Sequence, residues 1–118
     1  MRYEVVRTDV FGGDLKAIFK KYKKSSSSIE AFLDSLAENP QGDRIPGFAE
    51  VHLKKARIPL KEYRIGESGG LRLVYLLIPE KFKIVPVHIY SKSAYKGEQK
   101  VVANVRRNLR MIFQELAG

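Results

Sequence analysis

Arg72, His88, Tyr90 and Lys92 share one parity across two stretches that read as adjacent β-strands, so they can project from one sheet face. If the preceding strand pairs beside Arg72, Lys55 and Arg57 join them in one concave patch. Cations, a phenol and an imidazole gathered in this way suit a phosphodiester. Guanidinium and ammonium groups stabilise the oxygens on which charge grows in the transition state. An aromatic ring such as Tyr90 can stack a base. A crowd of cations lowers the pKa of a neighbouring lysine or tyrosine, which makes either a candidate general base. RNA brings its own nucleophile, the 2′-hydroxyl, so positioning and charge stabilisation alone could cut it. Structural alternatives stand beside these roles. Arg72 could pair with Glu50 or Glu62, His88 could be a satisfied core residue, Tyr90 could only pack, and Lys92 could only be solvated.

The stretch that carries the patch runs from Lys54 to Tyr75 as two extended arms joined by Gly66-Glu-Ser-Gly-Gly70. Its six basic residues, Lys54, Lys55, Arg57, Lys61, Arg64 and Arg72, outnumber the acidic Glu62 and Glu67. Such an excess marks an electropositive surface that attracts polyanions. The same sign holds for the whole chain of 118 residues, whose formal net charge is +9 and pI about 9.9. Nucleic acid, an acidic protein or an anionic membrane are the partners that balance predicts. Cysteine is absent, which excludes disulfides and thiolate metal sites and makes a cytoplasmic location the expectation. With only His52 and His88, no metal and no cofactor are expected. The N-terminal residues lack an apolar run of signal-peptide length, and Leu73–Pro79 is too short to span a bilayer, so no membrane association is expected. The glycine turn lacks the Gly-Lys-Ser/Thr ending of a nucleotide-binding loop.

The elements that must position the patch follow from periodicity. Tyr3–Asp9 reads as a strand and Phe11-Gly-Gly-Asp14 as a turn whose Asp14 caps a helix. Leu15, Ile18, Phe19 and Tyr22 make that helix's apolar stripe, with lysines elsewhere on it. Ser27 and Glu30 fit a capping box for a second helix, striped by Ile29, Phe32, Leu33 and Leu36 and stopped at Asn39-Pro40; the two helices are expected to form an antiparallel hairpin. Gln41–Phe48 reads as loop, Glu50–Ile58 as a strand, and Leu60–Ile65 as extended again. Leu71–Ile78 is the most apolar strand and should be central. Phe82–Tyr90 follows it, with Val85, Val87 and Ile89 on one face and a bulge or unpaired position at Pro86. Glu98–Leu116 is the last helix. The expected fold is α+β in a single domain over residues 1–118: β-α-α, an antiparallel meander of three or four strands, and a C-terminal helix, with the helices on the odd-numbered face.

Lys55-Ala-Arg57, Gly66-Glu-Ser-Gly-Gly-Leu-Arg72-Leu-Val-Tyr75 and Ile89-Tyr-Ser-Lys92, in that order, resemble the RelE/ParE superfamily of bacterial toxins. They are most similar to RelE- and HigB-type members, where a Lys-x-Arg strand, a Gly-Lys-Ser-Gly-Gly-x-Arg-x-x-Tyr turn and strand, and a Tyr-Ser-Lys strand end recur. The resemblance covers roughly residues 50–93 and is topological elsewhere. It implies a RelE-like fold and the toxin of a type II toxin–antitoxin system, a metal-independent, ribosome-dependent endoribonuclease (an mRNA interferase). Lys55 and Arg57 then match the basic pair, as base or phosphate clamp; Arg72 matches the transition-state arginine; Lys92 is placed to protonate the leaving group or hold phosphate. Tyr90 completes the implied catalytic set, with Lys54, Lys61, Arg64, His88 and Tyr95 as substrate-binding candidates. Glu67 stands where a lysine is frequent, and Tyr95, then Tyr90, is nearest to the family's C-terminal tyrosine. The implied partners are mRNA, the ribosome and a cognate antitoxin, with a heterotetramer as a possible assembly. A ParE-like inhibitor of DNA gyrase and a non-catalytic or degenerate nucleic-acid-binding module are the alternatives.

Overall fold

The computed structural model describes residues 2–48 and 51–118. The opening strand is shorter than its apolar content suggests: only β1 (Glu4–Val5) pairs. Thr8 then takes over as helix cap, its hydroxyl accepting from the Phe11 N–H at 3.3 Å, and α1 (Asp9–Lys21) begins. Residues 11–14, expected as a turn, are therefore helical, and Asp14 lies within α1 rather than capping it. The Thr8 cap and the burial of Phe11 offset the two glycines, which cost about 1 kcal/mol each in a helix. In α2 (Ser26–Glu38) the expected capping box does not form. The Ser27 and Ser28 hydroxyls instead donate to the Glu62 carboxylate, at 3.0 and 2.6 Å. Those bonds, Ser28's first, hold the Glu62 carboxyl below its ordinary pKa.

Five strands form one sheet in the order β1-β5-β4-β3-β2. The loop expected over residues 41–48 contains β2 (Asp43–Arg44), which pairs antiparallel with β3 (Leu53–Ile58). Of the strand expected over 50–58, Glu50 lies outside the described residues, and Val51 and His52 precede the strand rather than joining it. The segment from Leu60 to Ile65 is not extended throughout. Those two residues bridge each other and enclose a 3₁₀ turn, Lys61–Tyr63, that ends with Arg64 at φ 56°. The chain then turns into β4 (Leu71–Ile78), the central and most buried strand, followed by β5 (Lys83–Ser91). From β3 to β5 the sheet is the antiparallel meander expected from the sequence; β2 extends it antiparallel at one edge, and β1 adds to β5 in parallel at the other. Gly70 is required at the β4 entry, because a Cβ there would lie 2.1 Å from the Ile58 carbonyl oxygen.

Pro86 falls at a bulge. Val74 pairs with His88 and Tyr75 with Pro86, so Val87 is the extra residue. The expected grouping of Val85, Val87 and Ile89 on one face is thereby broken. Ile84 joins Leu77 on one side and Ile89 joins Leu73 there, while Val85 and Val87 turn to the other. The helices likewise do not share one face. Phe11, Leu15 and Ile18 of α1 and Ile29, Leu33 and Leu36 of α2 pack with Leu71, Leu73, Tyr75 and Leu77. The opposite core holds Val74, Leu76, Val85 and Val87 under Val101, Val105, Leu109 and Ile112 of α3 (Glu98–Ala117). The even-numbered face carries hydrophobics toward one end of β4, at Val74 and Leu76, and an arginine at the other, Arg72. The helix covers the apolar end, and the polar end is left for the site.

Candidate phosphodiester site

Cross-strand register builds the site. Arg57 of β3, Arg72 of β4 and Tyr90 of β5 stand opposite one another in a single rank, and Lys55 lies two residues from Arg57 on the same face. These four side chains line a cavity of about 740 Å³ together with Lys92, Tyr95 and Glu98. Gly42, Asp43 and Glu67 also reach its wall. Lys92 begins a 3₁₀ turn, Lys92–Ala94, fixed at both ends. The Lys92 N–H donates to the Gly70 carbonyl at 3.0 Å, and the Ala94 N–H donates to the Ser91 hydroxyl at 3.2 Å. The turn carries Tyr95 toward Tyr90, their rings stacked with centroids 6.4 Å apart, and Lys92 Nζ sits 5.0 Å from the Tyr95 centroid.

Arg72 is only 7% exposed, yet its guanidinium meets no carboxylate among the described residues. It donates to main-chain carbonyls: Nη1 to Glu67 and Leu71 at 3.0 and 3.4 Å, and Nη2 to Ser68 at 3.0 Å. At most three of its five donors are used, so two remain for a ligand. Burial first, and the facing Arg57 second, lower the Arg72 pKa from its ordinary value, while Tyr90 opposes them. An arginine remains charged through such a shift. Glu62, a proposed ion-pair partner of Arg72, is engaged by the two serines instead. Among the described residues none of Lys55, Arg57, Arg72 and Lys92 forms a salt bridge. Two arginines opposite each other repel, and an anion between them would relieve that repulsion.

The tyrosines depart from the sequence expectation. Rather than being acidified by the cations, Tyr90 has a raised pKa: burial is the main cause and Glu98 adds to it, against the pull of Arg72. Tyr95 is also raised, by burial and by its hydrogen bond to Glu98 Oε2 at 3.2 Å. Both phenols are therefore protonated near neutral pH, and neither suits the part of general base.

Four substrate-binding candidates fall outside the cavity wall. Lys54 is on the opposite face and donates to the Pro40 carbonyl at 3.2 Å. Lys61 lines a separate shallow groove with Ser27, Ser28 and Glu62, and Arg64 is exposed at the end of the 3₁₀ turn. His88 is buried, its Nδ1–H donating to Asp14 Oδ2 at 2.8 Å. That carboxylate also accepts from the Ile89 N–H and from Asn108, whose amide bonds the Val87 carbonyl. His88 thus supports the site from behind, its ring stacked on Tyr90 at 5.3 Å. Sequence reasoning did not find Glu98 or Asp43 as cavity residues. A two-residue strand leaves no periodic signal for Asp43, while Glu98 was visible only as the start of a helix. Among the described residues no group of three or more histidine and carboxylate side chains converges as a metal site, and no helix is long and apolar enough to cross a membrane. In comparisons with known proteins, the chain matches no family model and no curated protein.

Proposed function

We propose that the protein is a RelE-like toxin of a type II toxin–antitoxin pair that cuts mRNA on the ribosome through the RNA 2′-hydroxyl. The observation that carries the reading is the convergence of Lys55, Arg57, Arg72 and Lys92, from two strands and a turn, on one cavity with two stacked tyrosines. The order of elements, β-α-α-meander-α, is also the one the resemblance implies. In the reaction the 2′-oxygen attacks the adjacent phosphorus and loses its proton. The P–O5′ bond breaks, and the departing 5′-oxygen takes a proton from Lys92. A 2′,3′-cyclic phosphate and a 5′-hydroxyl result. Arg72 and Arg57 bear the charge that develops on the non-bridging oxygens, Lys55 clamps the phosphate, and Tyr90 with Tyr95 stacks a flanking base. A cognate antitoxin with an acidic or amphipathic segment would silence the site by covering its cations.

Programmed ribosomes incubated with the purified protein provide the test. The expected result is mRNA cleavage with 5′-hydroxyl ends, blocked by a 2′-deoxynucleotide at the scissile position. Arg72→Ala should slow cleavage by about 10²–10³-fold, the usual loss of one preorganised charge donor. Intact mRNA under these conditions overturns the reading. Inhibition of gyrase supercoiling by the same preparation would assign the surface to a ParE-like activity instead.

A further inference from the structure

The reaction needs a group that takes the 2′-hydroxyl proton, and the cavity contains few that can. Tyr90 and Tyr95 hold their protons more tightly than free phenols, and Arg57 and Arg72 have none to gain. Carboxylates accept protons at neutral pH, and three reach the cavity wall: Asp43, Glu67 and Glu98. Glu67 belongs to the turn that holds Arg72 through its main chain, and Asp43 lies on β2 at the far edge of the sheet. Glu98 is placed differently. It opens α3 beside the tyrosine pair, receives the Tyr95 hydroxyl on Oε2, and among the described residues makes no salt bridge that would occupy Oε1. Its bond to Tyr95 fixes the carboxylate next to the ring that would stack the base of the attacked nucleotide.

From this geometry we infer that Glu98 is the general base of the cleavage reaction and removes the 2′-hydroxyl proton through the oxygen not held by Tyr95. The inference rests on the nuclease reading above. Glu98 takes the proton as the O2′–P bond forms, while Lys92 supplies the one that leaves with the 5′-oxygen, so the site ends the cut with its total proton count unchanged. Lys55 is left as a phosphate clamp.

Single-turnover cleavage of ribosome-bound mRNA across pH tests this. Glu98→Gln should lower the rate by about 10²–10⁴-fold, the range for loss of a positioned base, with ribosome affinity retained. Wild-type cleavage should rise with pH and then level off, as for a reaction that needs one deprotonated group. Glu98→Gln should lose that rise, and Glu98→Asp should retain it at a reduced rate. Because Glu98 is exposed, circular dichroism should show each variant folded. If Glu98→Gln cleaves within about tenfold of wild type, the inference fails while the nuclease reading stands. If Tyr95→Phe reproduces the loss and the pH rise survives in Glu98→Gln, the carboxylate only positions Tyr95, and the inference is again overturned. If Lys55→Met removes the pH dependence and Glu98→Gln does not, the base is Lys55. Wild-type protein that leaves mRNA intact defeats the nuclease reading and this assignment together.

Discussion

Arg57 and Arg72 face each other without a counter-ion among the described residues, which sets function against stability at one residue. Like charges directly opposite on neighbouring strands cost roughly 0.2–1 kcal/mol. Arg57→Gln should therefore raise the unfolding free energy by about that amount while slowing cleavage, and urea melts read beside cleavage assays check both signs. A mutation that disabled the site and also destabilised the fold would contradict this account. A second residue-level expectation concerns alkaline pH. Tyr75 is fully buried and its hydroxyl donates to the Gln41 carbonyl; burial raises its pKa above the ordinary 10.0. The folded chain then keeps a proton that the unfolded chain releases, so the linked stability is fully present below about pH 10 and declines as pH rises through the folded pKa. Tyr90, raised in the same direction, adds to the decline. Melts between neutral pH and strongly alkaline pH should show this fall, and Tyr75→Phe should make it shallower while losing the bond to Gln41.

At the level of elements, the β3–β4 connection shapes the site most directly. Gly70 lets the Ile58 carbonyl approach, its own carbonyl receives the Lys92 N–H, and the turn before it holds Arg72. Gly70→Ala should destabilise the fold by about 2–3 kcal/mol, as overpacking against fixed main chain does, and any folded remainder should bind RNA more weakly. Thermal denaturation and RNA titration measure the two effects. Much of this element plan was legible in the sequence. The parity of Lys55, Arg57, Arg72, Tyr90 and Lys92 is set by strand pleating, and the glycine turn fixes which strands adjoin. What was not legible depends on contacts between distant residues. Thr8 outcompeted Asp14 as a cap, and Glu62 drew the serines away from their box. The covering of the even-numbered face by α3 follows from Val74 and Leu76, whose side chains show a need for burial but do not name the partner. Asp14 and His88 could be paired only once α1 was seen beside the open edge of β5.

For the whole molecule, the formal charge of +9 predicts how it meets RNA. Affinity for single-stranded RNA should fall linearly in log–log form with salt, and each phosphate neutralised should contribute about −0.7 to the slope. Lys55→Met and Lys92→Met should each reduce the slope by about 0.7, whereas Lys54→Met, which removes a charge from the opposite face, should change it less. Fluorescence anisotropy over a range of sodium chloride concentrations distinguishes these cases. The bulge at Val87 has one more effect on the molecule as a whole. It resets the phase of β5, so that the stretch from Ile84 to Val85 and the stretch from His88 to Tyr90 obey opposite odd–even rules. Deleting Val87 would leave Pro86 opposite Tyr75 and His88 opposite Val74, so His88 and Tyr90 would keep their face, but the α3 core would lose a buried valine and Asn108 the carbonyl that its amide now bonds. The supernumerary residue is thus a tether, giving the last helix a grip on this strand just below its ligand-seeking end.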